Sequence, residues 1–511
     1  MSRIPESAIL MNNVIYAGFG FVRQTKRQNF YRFSLFLLYF FIAFILIRLV
    51  WPGENHMYFD AGWYWSVISS SDLDNLPKIY RGYLYPYILF ALKTLGVSIG
   101  IPAERLVILM NAAGISIFTV YFIPNVICIQ TSGGAGRAAA RTDKGINPAR
   151  LFIGSVLFFI LWLFFWLDYL VYSLSDFPAL FFCAAFVFCL LRIESSFIVN
   201  KNRSVFCTAA GLMFLGLLAG ASAYASYNIR AVYLYGIIAS LIWWLLRNRH
   251  HGIGLMMCGT GIVLGALIIA YPQMCVNKKY NDTYLPLVPT VNFSTVDLKN
   301  WQIAQGLTVD RYETFAGKDS VQIPQMRFDD KAGISLEKKE KVSAGISLTQ
   351  LVELVFKYPL DIAGIYSRHL INYLTTVWRQ AYITDLRVNT AWVVLPGIVL
   401  WLIFFYQLFL IKREQWKNWL KNEAWAMVPF ISICLFMIPA AVEVRFFIAA
   451  YSIMYGYLAW RADFRTMLAH FREHTVSVAL LLTIAFLFWI SVMGSTLSGN
   501  AVSPVLFNYG Q

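Results

Sequence analysis

The feature that most constrains this chain is its series of apolar blocks. Each is close to the roughly 17–25 residues that cross about 30 Å of hydrocarbon as a helix. A membrane-spanning sheet would show alternating segments of about ten residues instead. Hydrophobic residues make up 59% of the 511-residue sequence and charged residues 14%, more apolar surface than a water-soluble core requires. The spans are therefore expected to be helices.

Hydropathy places these blocks at about 33–51, 105–129, 151–167, 177–192, 205–224, 231–246, 252–271, 391–411, 424–441, 446–460 and 475–495. With the basic N-terminus inside, alternation puts Arg137, Arg141, Lys144 and Arg150 on the inner side. Arg247 and Arg249 follow them there, with Lys412, Arg413 and Lys417 and then Arg461. Most acids fall outside, the asymmetry of the positive-inside rule. The expected fold is an all-α polytopic membrane protein of about eleven transmembrane helices. An N-terminal module, 1–271, carries a first outer loop at 52–104. Residues 272–390 form a small outer subdomain, and 391–511 supply the C-terminal helices. Within the first loop, Tyr83–Leu95 is apolar but short and interrupted by Pro86, which suggests an interfacial helix.

The formal charge of +15 raises nucleic acid as a partner. Its confinement to short loops on one side of the spans argues against that. The seven cysteines show no CxxC spacing, so neither a disulfide framework nor a zinc site is indicated. The first apolar block is too long for a signal h-region and reads as an uncleaved span.

Three outer-side stretches carry candidate chemistry. Tyr58-Phe59-Asp60-Ala61-Gly62-Trp63-Tyr64-Trp65 sets a carboxylate among interfacial aromatics, where it is costly to desolvate. Arg81-Gly82-Tyr83-Leu84-Tyr85-Pro86-Tyr87 adds a cation at the start of an aromatic amphipathic segment. Ser175-Asp176, Asn228-Ile229-Arg230 and Glu443-Val444-Arg445 place charges at the ends of later spans. Each has a plainer reading as well. Asp60 could be a solvated member of an aromatic belt, Asp176 a helix cap and Arg230 a snorkelling side chain. Glu443 and Arg445 could simply pair. His369 and Trp378-Arg379 are weaker outer-side candidates.

The order of these features resembles the first outer loop of the membrane-embedded C-type (GT-C) glycosyltransferases. In both, an early Asp among aromatics precedes an Arg- and Pro-containing interfacial stretch ending in Leu95-Gly96, then a span opening Glu104-Arg105-Leu106. Protein O-mannosyltransferases, lipid A aminoarabinose transferases and glycosylphosphatidylinositol mannosyltransferases share this plan. The Glu that often follows the Asp is absent, which is closer to the single-Asp mannosyltransferases. Gly220 through Arg230 resembles the family's turn between spans 5 and 6, and Glu443-Val444-Arg445-Phe446 its late E-x-R-Y. The likeness covers most of 33–270 and a patch near 443, not 272–390.

The resemblance implies a sugar donor on a polyprenyl phosphate and a glycan, lipid or protein acceptor on the outer face of a bacterial inner or plasma membrane. It implies Asp60 as the base for the acceptor hydroxyl, helped by Asp176, with attack from the face opposite the phosphate and so inversion at the anomeric carbon. Arg230 and Arg81 are expected to hold the leaving phosphate, with Arg379 and Arg445 in reserve. Tyr64 and Glu443 are further expected substrate contacts. Asp60, Arg81 and Arg230 are expected to line a cavity open sideways to lipid. No organic cofactor is expected, and a divalent metal is left open without being indicated. The alternative is a transporter or flippase of lipid-linked sugars, which would set its charges near the bilayer midplane.

Overall fold

The computed structural model describes residues 26–69, 82–128, 148–199, 205–288, 292–293, 296–314, 325–342, 345–383, 391–422, 424–440, 443–498 and 503–505. The first helix, α1 (Lys26–Val50), leads to two short ones, α2 (Phe59–Ser69) and α3 (Leu84–Ile99). Next, α4 (Ala103–Ile117) continues through a π-turn, Phe118–Phe122, into α5 (Ile123–Cys128). Then come α6 (Pro148–Trp166), the single turn α7 (Asp168–Val171), α8 (Asp176–Val199), α9 (Val205–Ile229), α10 (Leu234–Asn248) and α11 (Gly252–Asn281). The long segment that follows holds β1 (Asn292–Phe293), β2 (Val296–Asp297), α12 (Leu298–Thr308), β3 (Val309–Thr314), β4 (Gln325–Asp329), α13 (Lys331–Glu340), α14 (Leu348–Lys357) and α15 (Pro359–Tyr373). The chain closes with α16 (Ala391–Phe409), α17 (Arg413–Asn422), α18 (Ala424–Met437), α19 (Ile448–Trp460), α20 (Phe464–Glu473), α21 (Thr475–Ser498) and β5 (Ser503–Val505).

Every expected apolar block is helix among the described residues. Eight helical stretches are long and apolar enough to cross a membrane: Asn29–Val50, Ala103–Ile127, Pro148–Trp166, Asp176–Phe197, Ala209–Ile229, Ala231–Asn281, Trp392–Phe409 and Thr475–Gly494. The chain is accordingly a helical multi-pass membrane protein. The sixth stretch contains two of the expected spans, divided by a 3-10 turn at Arg249–His251 and by Gly252 at φ +41°. Two more of the expected spans, α18 and α19, have only 14 and 13 residues. That is short of the roughly 20 needed to cross unaided.

Two expectations need amendment. Pro86 does not interrupt its segment: it occupies the first turn of α3, where its missing N–H costs no intrahelical bond. The chain is also not purely helical. The segment between α11 and α16 carries a two-stranded sheet, β1-β2, and shares a three-stranded antiparallel sheet, β3-β4-β5, whose last strand comes from the end of the described chain. Helices in that segment pack around a core of Ile303, Leu307, Leu336, Leu351, Ile362 and Ile365.

The helices run between two ends. Helices α9 and α11 lie parallel at very close range. A Cβ at Gly220 would stand 1.8 Å from the Ile262 carbonyl oxygen, and one at Gly265 would stand 1.9 Å from that of Leu217. Only glycine lets backbones approach so closely, the packing device of membrane helices. Helix α10, between them in sequence, therefore runs antiparallel to both and packs against α18, where a Cβ at Gly236 would stand 1.9 Å from the Ser432 hydroxyl. At one end stand the cations: Arg32 against the Tyr121 ring, Arg192 over Phe188, Arg247 paired with Glu194 at 3.0 Å, and Arg150 bonded to the Trp460 carbonyl. The candidate site lies at the other.

Candidate functional site

Five charged side chains from four separate parts of the chain meet at the end of the helices opposite these cations. Asp176 opens α8, and Arg230 directly follows α9. The Arg230 guanidinium reaches both Asp176 oxygens at 2.7 Å. Glu443 and Arg445 lie in the connection between α18 and α19, with Arg445 Nε 2.8 Å from Glu443 Oε2. Arg445 also donates to Asp60 Oδ2 at 3.2 Å and stands 3.9 Å from Asp176 Oδ2. One ring, Phe446, faces both cations, 5.5 Å from the Arg230 guanidinium and 5.6 Å from that of Arg445.

Local structure explains why these groups converge. Asp60 sits in the first turn of α2, which is fastened from across the chain. The Tyr382 hydroxyl accepts from the Ala61 N–H at 3.2 Å and donates to the Tyr58 carbonyl at 2.8 Å. Arg230 is positioned by a buried amide clamp just ahead of it. Asn228 accepts from the Leu84 N–H at 2.8 Å and donates to Gln273 at 2.8 Å, while Gln273 also accepts from the Tyr83 N–H at 3.2 Å. Gly82 is needed there, because a Cβ would fall 1.8 Å from the Asn228 carbonyl oxygen. The clamp ties the start of α3 to α9 and α11. Ser226 bonds the Ala179 carbonyl and so ties the same end of α9 to α8.

Three carboxylates thus face two guanidiniums, and the acidic excess has consequences. Asp176 and Glu443 are buried, whereas the Asp60 side chain keeps 16% of its surface open. Burial pushes the Glu443 carboxyl up to about 7; Arg445 opposes this, and the charges of Glu313, Asp176 and Asp60 add to it. Groups expected to line an open cavity instead close on one another, with Asp60 held by Arg445. Among the described residues no three His, Cys, Asp or Glu side chains are grouped to hold a metal ion.

The remaining candidates fall elsewhere. Arg81 lies outside the described residues. Tyr64 is buried, packed edge-on against Tyr85 and so joining α2 to α3. Arg379 is not joined to the five charges: its guanidinium faces the Trp392 ring. It also acts on Asp168, whose carboxyl burial pushes up to about 6 against the pull of the Ala381 N–H and of Arg379. His369 is buried with Nδ1 2.8 Å from the Ile438 carbonyl oxygen, and burial pushes its pKa down to about 4. It has the surroundings of a packed core histidine.

Sequence reasoning missed Tyr382 and the Asn228–Gln273 clamp. Gln273, a buried amide immediately after Pro272 in an apolar helix, was the one available signal. Compared with protein-family models, with curated proteins and with solved structures, the chain matches none.

Proposed function

We propose that the chain is a GT-C-like membrane glycosyltransferase that moves a sugar from a polyprenyl-phosphate donor to a hydroxyl of a glycan, lipid or protein. The observation that carries this reading is the meeting of Asp60, Asp176, Arg230, Glu443 and Arg445 at one end of the helices, from positions up to 385 residues apart. All five stand at helix ends rather than midway along a helix, which favours a one-sided reaction site over a path through the bilayer.

In this reading the acceptor hydroxyl gives its proton to Asp60 as its oxygen attacks the anomeric carbon. The bond from that carbon to the phosphate oxygen breaks, and the phosphate leaves with the electron pair. Attack opposite the leaving group inverts the anomeric centre. The departing phosphate is already acidic and needs cations rather than a proton, which Arg230 and Arg445 supply. Because Arg445 is engaged with Asp60, donor phosphate competes for the guanidinium. Its arrival releases the carboxylate for the acceptor, so the base is freed only when there is a sugar to transfer.

The same reading takes the eleven helical blocks as eleven crossings, with the basic end cytoplasmic under the positive-inside rule. It puts the N-terminus inside and the site on the outer face of a bacterial inner or plasma membrane. Single-turnover transfer from a polyprenyl-phosphate sugar, with the protein in nanodiscs, tests the proposal. Glycosylated acceptor that disappears in Asp60→Asn supports it. Movement of intact lipid-linked sugar between leaflets, with no new glycosidic bond, would establish the flippase instead.

A further inference from the structure

At the opposite end of α19 from Arg445 lies a cavity of about 560 Å³ between α16, α17, α18 and α19. Its walls are apolar and aromatic, including Phe404, Leu408, Trp416, Trp419 and Tyr457. Among the described residues Arg461 is the only charged side chain lining it, and Gln415 lies beside Trp416. Helix α17 is built to lie at a membrane surface. Trp416 and Trp419, three residues apart, are half-buried against the cavity, while Arg413 and Lys417, four apart, are exposed on another face. Lys412 precedes them and is exposed too.

We infer that this cavity is a binding site for an anionic glycerophospholipid, with an acyl chain in the apolar slot and the phosphate at Arg461 and Gln415. A peptide is a poor occupant, because such walls leave its backbone polar groups unsatisfied. A zwitterionic lipid would bring its own cation towards Arg461, Lys412, Arg413 and Lys417. A negative headgroup meets these charges favourably, as juxtamembrane basic residues attract anionic lipid. The Trp416–Trp419 pair, with ring centroids 5.4 Å apart, stands at the depth where indoles bridge headgroup and chain.

A neighbouring cavity supplies an internal control. It measures about 380 Å³, lies between α16, α20 and α21, and is lined by residues such as Leu402, Met467, Phe471 and Phe486, with no charged side chain among the described residues. It offers a lipid chain space without a headgroup preference.

The test is native mass spectrometry of the full chain equilibrated with equal phosphatidylglycerol and phosphatidylcholine of identical chains, alongside its thermal unfolding in each lipid. Phosphatidylglycerol is expected to be retained about fivefold over phosphatidylcholine, the effect of about one well-placed cation, and to raise the unfolding temperature further. Arg461→Gln should abolish that ratio. Gln415→Glu, at an exposed position, should lower it without loss of folding, should the Arg461 variant prove unstable. Equal retention of the two lipids would overturn the proposal, as would an unchanged ratio in both variants. Stabilisation by inorganic phosphate alone, matching that by phosphatidylglycerol, would overturn it in favour of a free-anion site.

Discussion

Two buried ion networks in this molecule both set arginine against carboxylates and differ in how they are assembled. On strand β3, Arg311 bonds Glu313 two residues away at 2.7 Å, donates to the Thr375 carbonyl at 2.9 Å and lies over the Trp378 ring. One short strand supplies both ions, nearby carbonyls take up the remaining donors, and the guanidinium is sealed at 1% exposure. At the helix ends, Arg445 faces Glu443 beside it and carboxylates from two other places in the chain, and it stays partly open at 13%. The first network is what a fold needs to bury an arginine. The second holds more acid than base and opens to its surroundings, an arrangement a substrate can enter. Local pairing of the first kind suits a structural ion pair; the helix-end position, partial opening and unbalanced charge of the second make it the candidate site.

The comparison breaks most visibly at Asp60. Asp60→Asn preserves shape and should leave insertion and thermal stability near wild type, while single-turnover transfer falls roughly 100- to 10,000-fold, or about 3–5 kcal/mol of barrier. Unchanged transfer would make the cluster a second structural network. Arg311→Met should do the reverse. It leaves Glu313 buried without its cation and should cost about 3–5 kcal/mol of stability in unfolding measurements, with donor affinity of the folded protein little changed.

A finer distinction concerns Tyr382, which touches the start of α2 rather than the reacting atoms. Tyr382→Phe removes two hydrogen bonds and should cost about 1–2 kcal/mol of stability. If it positions Asp60, kcat should fall about tenfold with KM for the donor nearly unchanged, a cost of about 1.4 kcal/mol in the barrier. Stability loss with normal kcat would reduce it to a packing residue.

The smallest effect is expected from pH. Folded Glu443 keeps its proton up to about 7, whereas the ordinary glutamate value is 4.5. Its contribution to stability is therefore complete below about 4.5 and is lost as pH rises through about 7. Glu443→Gln should flatten that part of the stability profile. A slope that persists in the variant would assign the titration to another group.

The fold and much of the site were legible for the same reason: charge is costly near hydrocarbon, so a charged residue at the end of an apolar block stands out. That reasoning reached Asp60, Asp176, Arg230, Glu443 and Arg445, which the structure joins. It also reached Arg379, which looks equivalent in sequence but turns to Trp392 and Asp168. Tyr382 was not legible. An uncharged residue at an interface bears no visible cost, and its contact with Ala61 spans 321 residues. The shortness of α18 and α19 escaped hydropathy as well, since apolarity measures what a segment is made of and not where its helix must yield to the turn carrying Glu443 and Arg445.

That turn has a consequence in time. Asp60 is synthesised 385 residues before the arginine that holds it, roughly twenty to eighty seconds earlier at ordinary elongation rates of about 5–20 residues per second. For that interval the carboxylate must be accommodated by the insertion machinery, by water or by neighbours already made. A growing chain has no assembled cluster, and a chain halted anywhere before Arg445 can be correctly threaded through the membrane and still lack it.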